Sequence, residues 1–370
     1  MEPENVGSGE LAEGISYRVT RREGADGIPE VNITYTMTPE AKARWTLSAA
    51  YQERGETHPA TLTAGYELAE VLWGQGSADE AVGLFRHVVT GRRTVLGHGH
   101  PDTLAATSSL AGALEQTGQL SEAEQLTRTV WSEQVRAAGD ADPDALTSLA
   151  RLARLALRQK RPAEAERLAR EALAARERVL GPGHRSTLRS RNDLAGALRA
   201  QGRVEDAEQL YGQVAEDAGR LFGSADELSM DARANQAAVL ADQGRWAEAE
   251  RHFRTVVDFR ARSKGAGHVD TLSAQQNLAS VLHGAGRVSD AEALMRTVVA
   301  GYSKVFGTEH PRTVAGMSNL AAMVHRRGGR AEAEALCRRV VAVYERRFGP
   351  GDPRTAQARA NLRLVMEADG

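Results

Sequence analysis

Residues 268–309 read HVDTLSAQQNLASVLHGAGRVSDAEALMRTVVAGYSKVFGTE, and this stretch contains two helical patterns separated by a glycine turn. The first pattern has apolar residues at helical spacing, among them Leu272, Leu278 and Leu282. Gly286 follows it, and a Ser-x-x-Glu capping box then marks the start of a second helix. The stretch therefore predicts a helix-turn-helix unit, which we call helix A followed by helix B.

The same unit recurs along the chain at a fixed step of 42 residues. A loop motif His-Pro-x-Thr-Leu, degenerate in several copies, begins at His58, His100, Asp142, His184, Asp226, His268, His310 and Asp352. An alanine recurs near the start of each helix B, at Ala81, Ala123, Ala165, Ala207, Ala249, Ala291 and Ala333. One helix pair cannot bury its apolar face alone, so a fixed repeat predicts stacked pairs that stabilise one another.

The positions of helix starts and stops predict the domain organisation. Proline or aspartate suits the start of helix A, and glycine suits its end. We expect a tail and β-hairpin over residues 1–37 and a repeat array over residues 38–370. The array is predicted to contain a lone helix at 39–54, seven helix pairs over 58–349 and a terminal helix at 352–367. The expected fold class is all-α, a right-handed α-solenoid of helix-turn-helix repeats.

The N-terminal segment has a different periodicity. Apolar and polar residues alternate over residues 15–21 and again over residues 31–37, with a glycine-rich stretch at 23–27 between them. Alternation with a period of two around such a turn predicts a short β-hairpin, and residues 1–12 are expected to be disordered. A lone hairpin is marginal in water, so we expect it to cover the first helix or to form a homodimer contact.

Together these features resemble the tetratricopeptide repeat family. The resemblance rests on Asn-Leu-Ala on helix A at 277–279 and 319–321, on the glycine turn, and on Glu-Ala-Glu on helix B at 164–166 and 248–250. The 42-residue step with its His-Pro-x-Thr loop resembles the kinesin-light-chain type, which is widespread among bacterial scaffold and sensor proteins. The resemblance covers residues 39–367 and implies a fold that binds proteins or peptides.

The resemblance also implies which residues would hold a bound peptide. Members of the family use paired asparagines for the peptide backbone, and most of these pairs are incomplete here. Asn192 alone occupies the first position, whereas the second is filled by Asn235, Asn277, Asn319 and Asn361. The resemblance therefore implies a groove with an incomplete backbone clamp.

Helix A lines the inner surface of tetratricopeptide superhelices, so the helix A positions that face this inner surface are the candidate binding residues. They are Trp73, Arg154, Arg158, Arg189, Asn192, Arg199, Gln276, His283, His325 and Arg326. Arginine forks bind carboxylates and phosphates, so the four central arginines predict a concave patch for an acidic segment, without local neutralisation by acidic side chains. Two alternatives remain open: the arginines are solvated or paired with acidic neighbours, and Trp73 packs against the hairpin or the next helix.

Composition narrows the function classes. The chain has 370 residues and a net charge of −2, so it lacks the basic field typical of nucleic-acid-binding proteins. Its single cysteine, Cys337, cannot form an intramolecular disulfide and favours a cytoplasmic location. The acidic start at residues 1–4 does not resemble a signal peptide. No apolar run is long enough to span a bilayer, and we expect no membrane partner.

The sequence contains no recognisable catalytic or metal-binding motif. Phosphate-binding loops, HExxH, CxxC and nucleophile elbows are all absent, so no catalytic residue, metal ligand or cofactor is predicted. Five of the ten histidines belong to the repeat loop, and their periodicity indicates a structural role.

The leading hypothesis is a scaffold or regulator whose groove binds an acidic or extended segment of a protein or peptide. The alternatives are an enzyme with an active site built in the groove from arginine, histidine and glutamate residues, or a sensor of a small anionic ligand. A converging set of such residues in a closed pocket would favour the enzyme, and a bound phosphometabolite would favour the sensor.

Overall fold

The structure is a computed structural model that describes residues 4–12, 14–23 and 29–367. Over these residues, three strands precede sixteen helices, so the predicted all-α repeat fold with an N-terminal hairpin is confirmed. The chain divides into two compact units, Met1–Ala175 and Arg176–Gly370. The division into a hairpin region over 1–37 and a repeat region over 38–370 stays a prediction.

The helices alternate between the two types that the repeat predicts. They are α1 (Pro39–Arg54), α2 (Pro59–Gly74), α3 (Ala78–Leu96), α4 (Pro101–Thr117), α5 (Leu120–Ala138), α6 (Pro143–Arg158), α7 (Pro162–Leu180), α8 (Arg185–Ala200), α9 (Val204–Phe222), α10 (Glu227–Asp242), α11 (Trp246–Lys264), α12 (Val269–Gly284), α13 (Val288–Phe306), α14 (Pro311–Arg326), α15 (Arg330–Phe348) and α16 (Pro353–Glu367). Even-numbered helices are helix A, and odd-numbered helices are helix B. In the first unit α2 packs on α3, and in the second α12 packs on α13.

The N-terminal strands form an antiparallel sheet in the order β1 (Glu4–Ala12), β2 (Ile15–Glu23) and β3 (Pro29–Met37). The predicted hairpin is β2 with β3, paired from Ile15 opposite Met37. The predicted disorder of residues 1–12 is wrong for 4–12, because β1 pairs with the free edge of β2. Two irregularities in the β1 register hide the period-two pattern that would have revealed this strand in the sequence.

The sheet is tied to the first helix through Gly14. The Thr38 backbone N–H donates to the Gly14 carbonyl at 2.8 Å, and Gly14 has a φ of +74°. A Cβ at Gly14 would lie 2.5 Å from Thr38 Oγ1, so only glycine permits this close approach. Most of the predicted turn at residues 23–27 lies outside the described residues.

The repeat loop has a physical explanation in its threonine. In five loops the threonine hydroxyl donates to the carbonyl of the glycine that ends the preceding helix B, at 2.7–2.9 Å. These glycines have left-handed φ angles, for example +85° at Gly181. The hydroxyl thus joins the end of one helix to the start of the next, which explains why threonine recurs at a fixed distance from glycine.

Histidine at the start of the loop motif is a helix N-cap. In each case Nδ1 accepts a hydrogen bond at 3.1–3.2 Å from the backbone N–H two residues further on. The five caps are His58, His100, His184, His268 and His310. The structural role predicted from their periodicity is confirmed, since Asp142 and Asp226 cap helices at the same position.

The recurrent alanines lie where helix A and helix B come together. Six of the seven have no exposed surface, and the seventh, Ala165, is 1% exposed. A methyl group at this position lets two helix axes approach closely, and any larger side chain would have to displace the neighbouring helix.

We expect Ala207→Leu to lower the free energy of unfolding by about 1–3 kcal/mol, because the added carbons overpack a fully buried helix crossing. Urea unfolding followed by circular dichroism measures this. Ala174→Leu is the matched control, since Ala174 is exposed on a B helix and should change stability by less than about 0.5 kcal/mol. Equal effects of the two substitutions would contradict the role assigned to the buried alanine.

The histidine cap at His310 predicts acid sensitivity. Burial, and then the charges of Arg347 and Arg312, lower the pKa of His310 in the folded protein. The cap therefore contributes fully above the unfolded-state pKa of about 6.5 and is lost as pH falls through the lower folded-state pKa. Asparagine also caps helices but does not titrate. Between pH 7 and pH 5 we therefore expect the free energy of unfolding of His310→Asn to fall by about 1 kcal/mol less than that of the wild type.

Urea unfolding at both pH values tests this, with His98→Asn as control, because His98 is exposed and caps no helix. Identical pH dependence in His310→Asn and the wild type would show that the cap does not titrate in this range.

Candidate functional site

In each unit the A helices lie side by side and present a common face. Their side chains meet at residues 43 positions apart, one on each neighbouring helix. In the first unit the Tyr66 and Ser109 hydroxyl oxygens are 3.1 Å apart. In the second unit the Asn235 amide donates to Asn192 Oδ1 at 3.1 Å. Several residues predicted from the sequence take part in contacts of this kind, namely Trp73, Arg158, Asn192, Arg199 and Arg326.

The second unit has a cleft of about 440 Å³ on this face. Buried apolar residues, Phe253 and Val281, form its inner part, while the polar side chains of Asn277 and Ser280 are exposed. The polar lining residues are Arg199, Asn235, Asp242, Asn277 and Ser280, contributed by α8, α10 and α12. An apolar interior with convergent polar groups is the usual composition of a ligand site.

Arg199 is the charged group of this cleft, and it is paired. Its Nε donates to Asp242 Oδ2 at 2.7 Å, and a terminal guanidinium nitrogen lies at the same distance from that oxygen. The two side chains remain 35% and 48% exposed. The pair is therefore accessible to a ligand. Arg199 can donate hydrogen bonds to a second carboxylate while Asp242 still neutralises part of its charge.

Trp246 forms part of the cleft wall and was not among the residues predicted from the sequence. A Cβ at Gly284 would lie 2.7 Å from the Trp246 ring, so the glycine permits the ring to lie directly on α12. Asp242 and Phe253 were missed as well. The tryptophan had a sequence signal, because the other B helices of the repeat array begin with alanine, leucine, proline, valine or arginine at this repeat position.

Other predicted residues of the second unit lie on α12 and α14 outside the cleft lining. Arg326 donates to the His283 carbonyl at 2.9 Å. Burial and then Arg326 lower the pKa of His283, whose Nε2 has no hydrogen-bond partner among the described residues. Gln276 and His325 are partly exposed on the same two helices.

In the first unit, Trp73 is held by packing rather than left free for a ligand. Its ring makes an edge-on contact with Phe85 at 6.1 Å between centroids, and its Nε1 donates to Gln116 at 2.7 Å. A Cβ at Gly112 would lie 2.5 Å from the ring, which shows that Trp73 lies against α4. The alternative in which Trp73 packs on the next helix is therefore correct.

The prediction that the arginines lack acidic neighbours is wrong for Arg158 and Arg199. Arg158 lies 3.0 Å from Glu115 Oε1 in the first unit, and Arg199 pairs with Asp242 in the second. Both partners come from an adjacent helix A, 43 positions away, which spacing along a single helix does not reveal. Arg154 and Arg189 are exposed on α6 and α8. A single patch of all four arginines stays a prediction.

Among the described residues, no three histidine, cysteine, aspartate or glutamate side chains come close enough to hold a metal ion. None of the helices in the described ranges is both long enough and apolar enough to cross a bilayer. The one cysteine, Cys337, is buried, and burial raises the pKa of its thiol.

A comparison with protein families matches most of the chain. A model described as a tetratricopeptide repeat matches residues 60–129, 144–218 and 229–304. A second model of the same description matches residues 313–354. A search of curated proteins finds no match.

Solved structures of similar fold include three with informative names. Repeats of a putative kinesin light chain from Podosopora anserina are 28% identical, with 56% of this chain and 98% of that chain covered and a TM-score of 0.48. BtubC (BKLC) from P. vanneervenii is 18% identical, with 62% and 92% covered and a TM-score of 0.52. A Rap protein complexed with Competence and Sporulation Factor is 12% identical, with 89% and 99% covered and a TM-score of 0.51.

Proposed function

Because the chain belongs to the tetratricopeptide repeat family, with repeats similar to the kinesin-light-chain type, we propose that it is a cytoplasmic scaffold or regulator that binds an extended segment of a partner protein. The observation that carries this proposal is the cleft on the A helices of the second unit. The Rap protein of similar fold, solved with a bound factor, is compatible with such a role.

The cleft has the groups that an extended segment requires. The amides of Asn235 and Asn277 each offer a donor and an acceptor, which matches the alternating N–H and C=O groups of a peptide backbone. Asn235 is already oriented by its bond to Asn192, so less side-chain entropy is lost when a ligand binds. The buried surfaces of Phe253 and Val281 can accept one apolar side chain of the segment.

We also propose that the segment carries an acidic residue or a terminal carboxylate beside Arg199. The guanidinium has donors that Asp242 does not use, and a ligand carboxylate can share the fork. The preference should be modest, because Asp242 already neutralises part of the charge and repels a second carboxylate. Rising salt should weaken this contact, since both side chains are partly exposed.

The test uses peptides selected from a random display library on the full chain, with affinities measured by calorimetry. The double change Asn235→Ala with Asn277→Ala should weaken the best peptide at least tenfold, about 1.4 kcal/mol, and leave helicity unchanged. Asn319→Ala with Asn361→Ala is the matched control, because those asparagines hold the same repeat position outside the cleft lining. A peptide that binds both double variants with equal affinity would place the binding surface elsewhere.

The N-terminal region has a second candidate surface, where helix α1 exposes large aromatic side chains. Helix α1 buries only Ala43 and leaves Trp45 and Tyr51 62% and 53% exposed. Large aromatic side chains exposed on a helix that buries so little surface are typical of an interface. We propose that a second copy of the chain covers this surface, as a homodimer contact through the N-terminal hairpin region.

Deleting residues 1–37 should reduce the mass in solution from dimer to monomer, because the deletion removes the hairpin region through which the two copies are proposed to touch. Light scattering measures the mass. Trp45→Ser should have the same effect while leaving the strands in place, and Leu364→Ser, which changes an exposed leucine on α16, should not. A wild-type chain that is monomeric at all concentrations, or an unchanged mass in both N-terminal variants, would refute the dimer.

A further inference from the structure

One edge of the second unit repeats a pair made of a basic and an aliphatic residue. The pairs lie in the last turn of three B helices: Arg178-Val179 on α7, Arg220-Leu221 on α9 and Lys304-Val305 on α13. Val179, Leu221 and Val305 are 41%, 44% and 49% exposed. We call these six residues the B-helix edge.

The exposed aliphatic residues contribute little buried surface to the fold, although Leu221 lies beside Gly183, where a Cβ would be 3.2 Å from its side chain. A cation in the last turn of a helix interacts favourably with the helix dipole, which explains the basic member of each pair. An apolar side chain near a helix end stabilises the fold in proportion to the surface that it buries, and these three remain 41–49% exposed. In the first unit, Val95 holds the same repeat position and is 45% exposed. This repeat position carries valine or leucine in four of the seven B helices from α3 to α15, and Ala137, Ser263 and Arg347 in the other three. Single exposed aliphatic residues are normal, whereas four at one repeat position suggest a shared role.

The charge of this edge is incompletely neutralised. Arg220 is paired with Asp217 at 2.8 Å. Arg178 and Lys304 are exposed, and neither has an ion pair among the described residues. Arg347, the counterpart of Val305 one repeat later, is likewise exposed and without a carboxylate partner in the described part of the chain. The edge thus combines protruding aliphatic side chains with free positive charge.

The spacing of these residues favours an anionic lipid surface over an acidic protein as the partner. A protein interface needs a contiguous apolar centre, and the aliphatic residues here are separated by a whole repeat. A lipid interface is fluid, so each aliphatic side chain can enter it independently while neighbouring basic residues are attracted to anionic headgroups. We propose that the B-helix edge adsorbs the protein to an anionic lipid surface. The sequence-based expectation of no membrane partner considered spanning segments, which surface adsorption does not require.

The proposal is tested by co-sedimentation of the full chain with vesicles. Vesicles of phosphatidylcholine with about 30% phosphatidylglycerol should bind the protein, whereas vesicles of phosphatidylcholine alone should bind it weakly. The double change Arg178→Gln with Lys304→Gln should lower the partition coefficient at least about fivefold, and about 0.5 M salt should have a similar effect on the wild type. Val179→Ser with Val305→Ser should lower it as well, without changing the salt dependence.

Two controls separate a specific edge from general surface properties. Arg339→Gln removes an exposed cation without an ion pair on α15, and Leu364→Ser removes an exposed aliphatic side chain on α16. Neither substitution should change vesicle binding, and circular dichroism should show that all variants fold. Absence of wild-type binding to anionic vesicles, or equal losses in the edge variants and the controls, would overturn the proposal.

Discussion

The close crossing of paired helices at the recurrent alanines is the constraint on which the rest of the structure depends. With Ala207, Ala249 and Ala291 fully buried, neighbouring axes are near enough for the apolar faces of consecutive helices to share one core. A crossing of this kind has to recur at every repeat, because no single pair buries its own apolar face. The loop between repeats must therefore position each helix A in the same way relative to the preceding helix B. The hydrogen bond from the loop threonine to the terminal glycine, as between Thr313 and Gly307, provides that regularity.

The chemistry of the A-helix face follows from this packing. Because neighbouring A helices are close, side chains 43 positions apart meet and form pairs before any ligand arrives. Asn192 orients Asn235, Asp242 partly neutralises Arg199, and Gln116 holds the indole of Trp73. The surface is therefore a set of pairs between repeats, and its binding preference depends on which groups the pairs leave accessible. In the second unit those groups surround a cleft with a buried aromatic interior.

The positions that packing does not use are free to acquire other roles. The ends of the B helices contribute little to the core, and the aliphatic residues there are exposed at one repeat position. A repeat array multiplies any such feature, because each copy presents it in the same orientation relative to its own helix pair. Weak contacts at several such positions can together give a measurable affinity for a fluid lipid surface, because lipids can rearrange to match the spacing of the repeats.

Periodicity in the sequence was enough to predict the repeat, the helix types and the buried alanines, because each of these is required in every copy. The capping box predicted at Ser289 is wrong, since α13 begins one residue earlier at Val288 and its N-cap, Arg287, makes no side-chain hydrogen bond. The sequence also indicated the face that carries the candidate site, through the groove-facing positions of helix A. The folded chain was needed to identify the partners of Arg158 and Arg199, the packing of Trp73 and the place of Trp246 in the cleft wall. These depend on single residues in different repeats, which periodicity cannot match to one another. The strand at residues 4–12 was missed for a related reason, since the edge of β2 that it pairs with is a property of the sheet and not of the strand's own sequence.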